Sequence, residues 1–278
     1  MNTQGSAPGK IILSGEYAVV FGHPGIAVPS PQTLCVSFEE RNEGIGTVDW
    51  HQIAGNEPWH RYLHAILRQI PIAERGVLHI RNDIPLGKGM GSSTALAIAI
   101  TRCLLGNDCV REARAIEDAV NPGNSGLDFA VIWNAKPLRF VKGEPPQPVT
   151  LPGNLLTDAV LIDTGTPNET TPELVAWVKA RRNEPDVARA LEIIGNCTER
   201  LLQGENPLSV LKEHHRAQVA LGVVPEAVQT VMARIEEAGG AAKVIGAGAR
   251  TGGGGIVLTL GLSEEQIASL TPFPIVRA

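Results

Sequence analysis

The chain has 278 residues, 43% of them hydrophobic, and 24 Lys plus Arg against 29 Asp plus Glu give a net charge of −5. That length and apolar content suit one large or two medium globular cores. The mild acidity and the lack of any basic run exclude a nucleic-acid-binding surface, so an anionic ligand must be held by a few local groups, of which a metal cation can be one.

The opening MNTQGSAPGK has no charged region followed by an apolar core, so no secretory signal is read there. The most apolar run, near residues 95–105, is interrupted by Arg102, which argues against a membrane span and for a cytoplasmic protein. Cys35, Cys103, Cys109 and Cys197 form no CxxC pair and are expected to be buried free thiols.

In chain order, KIILSGEYAVV (10–20), GIAV (25–28) and TLCVSFEE (33–40) read as short strands separated by Gly and Pro. PWHRYLHAILRQI (58–70) then places Trp59, Leu63, Ile66 and Leu67 on one helical face. VLHIRND is a strand, helices follow near 91–105, over VREARAIEDAV and over LDFAVIWNA, and PLRFVK returns as a strand. EPPQPVTLPGN carries four prolines in eleven residues, which neither ladder sustains, so a domain boundary is expected near residue 150. Beyond it come the strand AVLIDTG, helices over 172–181, 186–203, 207–220 and 225–238, the strand AKVIG, a glycine cluster, the strand GIVLTL and a last helix.

One stretch asks for a chemical explanation. PLGKGMGSST (85–94) runs from Pro85 through three alternating glycines into an apolar helix. Gly87, Gly89 and Gly91 let the backbone turn its N–H groups inward, Ser92, Ser93 and Thr94 add hydroxyls, and the helix directs its positive end at the same place. That describes a phosphate cradle; a glycine-rich turn with a serine N-cap is the structural alternative. Neither GxxxxGK[ST] nor GxGxxG is present.

APGKIILSGEYAVVFGHP (7–24), PLGKGMGSST and KVIGAGARTGGGG occur in that order. Together they resemble the three ordered motifs of the GHMP superfamily, which comprises galactokinase, homoserine kinase, mevalonate kinase and phosphomevalonate kinase. NPGNSGLD (121–128), DTGTPNETTPELVAWV and HHRAQVALGVVPEAVQTVMARIEEAGGAAKVIGAG extend the likeness over most of the chain, and it is nearest to the mevalonate kinase branch. The resemblance implies an α+β fold with an N-terminal ribosomal-protein-like domain (1–150), a C-terminal ferredoxin-like domain (151–278) and an active site between them. It implies an ATP- and Mg2+-dependent kinase acting on the primary hydroxyl of mevalonate, a small-molecule alcohol, with no nucleic-acid or membrane partner and with a homodimer left open.

Residue roles follow from the same resemblance. Asp128 is the expected proton acceptor, at a predicted helix start that favours an ionised carboxylate. Glu117, eleven positions upstream, and Ser93 are the expected magnesium ligands, although Asp118 beside Glu117 is an alternative for the inward-facing acid. Lys10 is expected beside the catalytic aspartate, stabilising a developing alkoxide. Pro85, Gly87, Lys88, Gly89, Met90, Gly91, Ser92, Ser93 and Thr94 form the expected nucleotide site. Lys10, Glu16, Tyr17, Asp128, Gly246, Ala247, Gly248 and Arg250 form the expected acceptor site.

The sequence departs from the family pattern in several places. Tyr17 stands where the family has histidine, as in some phosphomevalonate kinases. Ala249, Arg250 and Thr251 are inserted between GAG and GGGG, and Arg250 is either an anion contact or a solvated loop residue. The segment between the first two motifs is short, so nucleotide preference is not legible. His60 and His64 have the spacing of a metal pair without a matching acid, His214 and His215 read as isolated, and no GxSxG supports a hydrolase. Phosphomevalonate kinase or another GHMP small-molecule kinase, a diphosphomevalonate decarboxylase, and a catalytically silent sensor that binds nucleotide or metabolite are the alternative functions.

Overall fold

The computed structural model describes residues 2–40, 47–70, 76–151, 155–156 and 158–276. A long strand β1 (Asn2–Ser14) opens the chain. It stops at Ser14 rather than running on to Val20, because Gly15 (φ 111°) and Tyr17 (φ 63°) leave the extended region and Ala18–Phe21 coils into a 3-10 turn. GIAV and TLCVSFEE, read as two strands, are one, β2 (Gly25–Glu40). Pro29 and Pro31 sit inside it, since the fixed φ of proline is compatible with extended backbone and only the ladder donor is lost. Leu34, Val36 and Phe38 are buried while Cys35 and Glu39 are exposed, the alternation of a one-sided strand. Cys35 is thus an exposed thiol, contrary to expectation; the other three cysteines are buried, and all four are free.

Next come β3 (Thr47–Asp49), α1 (Glu57–Leu67), β4 (Gly76–Asn82), α2 (Ser92–Leu105), α3 (Val110–Val120) and α4 (Leu127–Asn134). Then follow β5 (Leu138–Phe140), β6 (Gln147–Pro148), β7 (Val160–Asp163), α5 (Thr171–Arg181), α6 (Pro185–Leu202) and α7 (Pro207–Leu221). The chain closes with α8 (Glu226–Glu237), β8 (Ala241–Val244), β9 (Ile256–Leu260), α9 (Glu264–Leu270) and β10 (Ile275–Val276). Among the described residues no helix is long and apolar enough to cross a membrane.

These elements form two compact units that interleave along the sequence. One comprises Met1–Gly9, Pro29–Leu86 and Gly91–Ala135, the other Lys10–Val28, Gly87–Met90 and Lys136–Ala278. The proline-rich stretch falls within the second, where β6 pairs with β5, and its residues 152–154 lie outside the described residues.

In the first unit β2 pairs antiparallel with β4, from Leu34 opposite Asn82 to Glu40 opposite Gly76, and β3 joins β4 in parallel. α2 is apolar on every face, with Ala95 through Ile100 all buried, so it is a core helix rather than an amphipathic surface one. An added Cβ at Gly5 would collide with the backbone of α2 at Ala99 and Cys103, so β1 lies directly on that helix. The second unit holds an antiparallel sheet in the order β10-β7-β9-β8. Ile162, Val244 and Val257 of that sheet pack with Val228, Met232 and Ile235 of α8. A second cluster gathers Leu174 and Val178 of α5, Val187 and Ile194 of α6 and Leu221 of α7 around Tyr17. Helix ends follow local chemistry: Thr170 and Glu173 form a capping box on α5, and Asn206 caps α7 ahead of Pro207 while Gly222 (φ 74°) ends it.

Candidate functional site

Gly87, Gly89 and Gly91 take left-handed φ values of 69°, 89° and 75°. Residues 87–90 are pinned within the second unit: Ile256 N donates to Lys88 O at 3.0 Å and Lys10 N to Met90 O at 2.9 Å. The Met90 side chain is fully buried, so it offers a ligand only its backbone, and Pro85 is half-buried ahead of the turn. The Lys88 ammonium is held by Asp163, which occupies the charge that the sequence suggested for the loop. Gly91 begins α2 in the first unit, and no side chain among the described residues caps that helix. The serine-cap alternative therefore does not describe this turn, and the helix keeps the uncapped N–H groups that suit an anion. Ser92 and Thr94 are buried and Ser93 is half-buried.

The acidic group belongs to the first unit. Glu117 is 2% exposed on α3, whereas its neighbour Asp118 faces outward, bonded to Arg114 and to Asn124 Nδ2 at 2.9 Å. The structure thus resolves which acid points inward. Glu117 Oε1 accepts from the Thr94 hydroxyl at 2.8 Å and from Asn121 Nδ2 at 3.0 Å, while Oε2 is buried without a hydrogen-bond partner among the described residues. Asn121 Nδ2 also donates to the Tyr62 phenol at 2.7 Å, and that phenol hydrogen-bonds with the Ser93 side chain. Burial pushes the Glu117 carboxyl up to about 7, with nearby Asp128 adding to the rise, against the opposing bonds from Thr94 and Asn121. Asp128 is half-buried in the first turn of α4, whose start is Gly126 at φ 93°.

A buried carboxylate oxygen with no donor is an expensive arrangement unless a cation or proton satisfies it. Glu117 Oε2 and the Ser93 hydroxyl are hard oxygen ligands of the kind Mg2+ takes, one or two from the protein with phosphates and water completing the shell. The residues present fit that ion.

The remaining expected residues lie in the second unit. Lys10 Nζ donates to Gly89 O at 2.7 Å and lies 3.5 Å from Ile245 O. Glu16 is buried and ion-paired with Lys243, and its other oxygen is 3.0 Å from His214 Nε2. His214 is therefore not isolated. Burial opposes the Glu16 charge, yet Lys243 and His214 outweigh it and hold that carboxyl below its usual range; burial in turn lowers the pKa of both Lys243 and His214. Tyr17 donates its phenol proton to Ala247 O. Gly246 packs against Gly89, and Gly248 adopts φ 66°. Arg250 stacks on Trp177, 4.7 Å from the ring centroid, and Glu169 Oε2 accepts from Arg250 N at 3.0 Å.

Sequence reasoning missed the residues that hold these groups: Tyr62 and Asn121 around Glu117, Asp163 on Lys88, Lys243 and His214 on Glu16, and Glu169 with Trp177 beside Arg250. Asn121 was within reach, since it follows Glu117 by four and so shares its helix face. The others pair across tens to hundreds of residues and leave no local signature.

Comparison with known proteins identifies the family. Residues 60–133 match the GHMP kinases N terminal domain. Mevalonate kinase from Pyrococcus horikoshii is 30% identical, with 94% of this chain and 89% of that protein covered. Mevalonate kinase from Thermococcus gammatolerans is 29% identical over 96% of this chain and 91% of that protein. The crystal structure of the Methanococcus jannaschii mevalonate kinase superposes with a TM-score of 0.78 at 17% identity, covering 99% of this chain and 97% of that one, and shares the two-sheet α+β fold. Motif order, fold and near-full-length similarity agree, and the chain belongs to the GHMP kinase superfamily as an ATP-dependent, mevalonate kinase-like member.

Proposed function

We propose that this kinase transfers the γ-phosphoryl group of ATP to the primary hydroxyl of mevalonate in the cytoplasm, with Mg2+ as the required cation. The observation that carries the reading is Glu117, a buried carboxylate with one oxygen saturated by two donors and the other left without one. Near-full-length similarity to mevalonate kinases supports the acceptor.

Phosphoryl transfer asks little covalent work of a protein: it needs positioning, charge neutralisation and acceptance of one proton. The turn at Gly87–Gly91 and the uncapped start of α2 supply N–H donors for phosphate oxygens. Glu117 Oε2 and the Ser93 hydroxyl would hold Mg2+, which when bound neutralises phosphate charge. As the acceptor oxygen bonds to the γ-phosphorus and the bond from that phosphorus to the bridging oxygen of the departing ADP breaks, Asp128 accepts the proton of the acceptor hydroxyl, and the Lys10 ammonium favours the negative charge that develops on the acceptor oxygen.

The test is a panel of alcohols, including mevalonate and phosphomevalonate, each incubated with ATP and Mg2+ and followed by ADP release. Release with mevalonate at the highest kcat/KM is expected. A larger kcat/KM for phosphomevalonate that is lost in Arg250→Ala would reassign the acceptor, and no release with any alcohol would leave a silent binding protein.

A further inference from the structure

Glu16 and Tyr17 are neighbours in sequence, and both reach the same five-residue segment. Glu16 takes hold of Lys243 on β8, and Lys243 Nζ also donates to Ile12 O at 3.0 Å, so strand, carboxylate and ammonium are tied together. Tyr17 takes hold of Ala247, three residues beyond the end of β8, through its phenol. All the side chains involved are buried: Lys243 and His214 are 0% exposed, Glu16 3% and Tyr17 5%.

Between the two grips lie Val244, Ile245 and Gly246. The Ile245 carbonyl is 3.5 Å from Lys10 Nζ. Gly246 approaches Gly89 so closely that an added Cβ would stand 2.7 Å from Gly89 Cα, and Gly89 O is the other acceptor of the Lys10 ammonium, at 2.7 Å. The segment gripped by Glu16 and Tyr17 is therefore the one on which Lys10 and the Gly89 turn rest.

The backbone supplies a second line. Tyr17 sits at φ 63°, a region that bulky L residues rarely adopt. Gly15 before it, at φ 111°, presses on Gly25 closely enough that a Cβ would collide with Gly25 Cα. Strain of this sort persists only where the surroundings over-determine it. Here they do, through the ring packed among Leu174, Val178, Ile194 and Leu221, the phenol on Ala247, and the ion pair one residue earlier. A buried ion pair adds little net stability over an apolar pair of the same volume, but it imposes one direction and one partner.

We propose that Glu16 and Tyr17 are positioning residues, a two-point clamp on residues 243–247 that sets the Lys10 ammonium and the Gly89 turn, and that neither touches the acceptor. Lys243 and His214 complete the clamp from β8 and α7. The inference rests on the reading of Lys10 as a group at the reaction centre. A clamp that acts through Lys10 changes turnover, whereas a residue that binds the acceptor in both ground and transition states changes KM.

The experiment measures kcat and both KM values with ATP, Mg2+ and mevalonate for Tyr17→Phe, for the charge-removing pair Glu16→Gln with Lys243→Met, for all three together, and for Lys10→Met. Tyr17→Phe is expected to lower kcat roughly 10-fold with the mevalonate KM within about twofold of wild type. The charge-removing pair should lower kcat comparably, and the triple variant should fall less than the product of the two effects, because both act on one segment. A tenfold or greater rise in mevalonate KM at unchanged kcat in Tyr17→Phe would mean that the phenol contacts the acceptor, and the clamp fails. Unchanged kcat and KM in Tyr17→Phe, with Lys10→Met inactive, overturns the clamp alone. Near-wild-type turnover in Lys10→Met overturns the Lys10 reading and the clamp with it. If the charge-removing pair does not fold, as thermal unfolding reports, Tyr17→Phe decides by itself, since it deletes a single hydroxyl.

Discussion

The Thr94 hydroxyl donates to Glu117 Oε1 at 2.8 Å, linking the end of the glycine-rich turn to the buried acid 23 residues later. Thr94 is thus committed to orienting a carboxylate and is not presented to phosphate. Thr94→Val keeps the shape and removes the donor. We expect the Mg2+ concentration for half activity to rise about 10-fold, as when an orienting partner of a metal ligand is lost, with the KM for ATP at saturating Mg2+ little changed. A rise in ATP KM at saturating Mg2+, with no change in Mg2+ demand, would return Thr94 to the phosphate site.

Glu117 also makes a stability prediction. Its carboxyl titrates at about 7 in the folded chain against an ordinary value of 4.5. Between those values the folded state binds more protons than the unfolded one, so the free energy of unfolding falls as pH rises from 4.5 to about 7 and is level above that. The full span is on the order of 3 kcal/mol. In EDTA, Glu117→Gln should remove this slope, leaving the variant more stable than wild type at pH 8 and close to it at pH 4.5. Urea unfolding at the two pH values measures this, and a wild type equally stable at both, relative to the variant, would show that Oε2 is not isolated.

Asp128 and Asp118 provide a matched pair of acids. Asp128→Asn should bind ATP near normally and lose on the order of 10²-fold or more in turnover, the usual scale for removing a general base. Asp118→Asn should keep its turnover, because that carboxylate is exposed and its bonds to Arg114 and Asn124 tie only the surface of α3 to the loop after it. Single-turnover and steady-state rates on both variants separate the roles, and equal losses would contradict the inward and outward register of Glu117 and Asp118.

Much of this was legible locally, and what was not has a common cause. Alternating glycines at 87, 89 and 91 announced their left-handed backbone, and the eleven-residue interval between Glu117 and Asp128 is spanned by the end of α3 and a turn broken by Pro122 and Gly123. The same residue types misled where backbone conformation depended on distant partners. Pro29 and Pro31 looked like breaks yet lie in one strand, and GEYAVV looked like a strand although Tyr17 is turned out of it. Glu16 reads as chemistry in a motif, but Lys243, which engages it, lies 227 residues away. Nothing in the local pattern of either residue reports such a pairing.

The loop that carries Arg250 tests the choice of acceptor. Glu169 fastens it from one side, accepting from the Arg250 and Thr251 amides at 3.0 and 3.3 Å and from the Thr251 hydroxyl at 2.8 Å. The Arg250 guanidinium stacks on Trp177 at 4.7 Å from the ring centroid, on a ring that Arg181 also approaches at 4.3 Å. Arg181 is neutralised by Glu184, whereas no carboxylate among the described residues pairs with the Arg250 guanidinium. Stacking fixes its plane and leaves its N–H edge for a planar or tetrahedral anion. If that anion is the acceptor's carboxylate, Arg250→Ala should raise the mevalonate KM roughly 10-fold, leave kcat within about twofold, and leave the ATP KM unchanged. Glu169→Gln should raise the mevalonate KM by a smaller factor, since it loosens the loop without removing the cation. Arg250→Lys should restore little, because a lysine is a point charge without the planar fork that stacks on Trp177. A fall in kcat with KM unchanged would place Arg250 on the transferring phosphoryl group instead, and no change in either would leave it a surface residue of the loop.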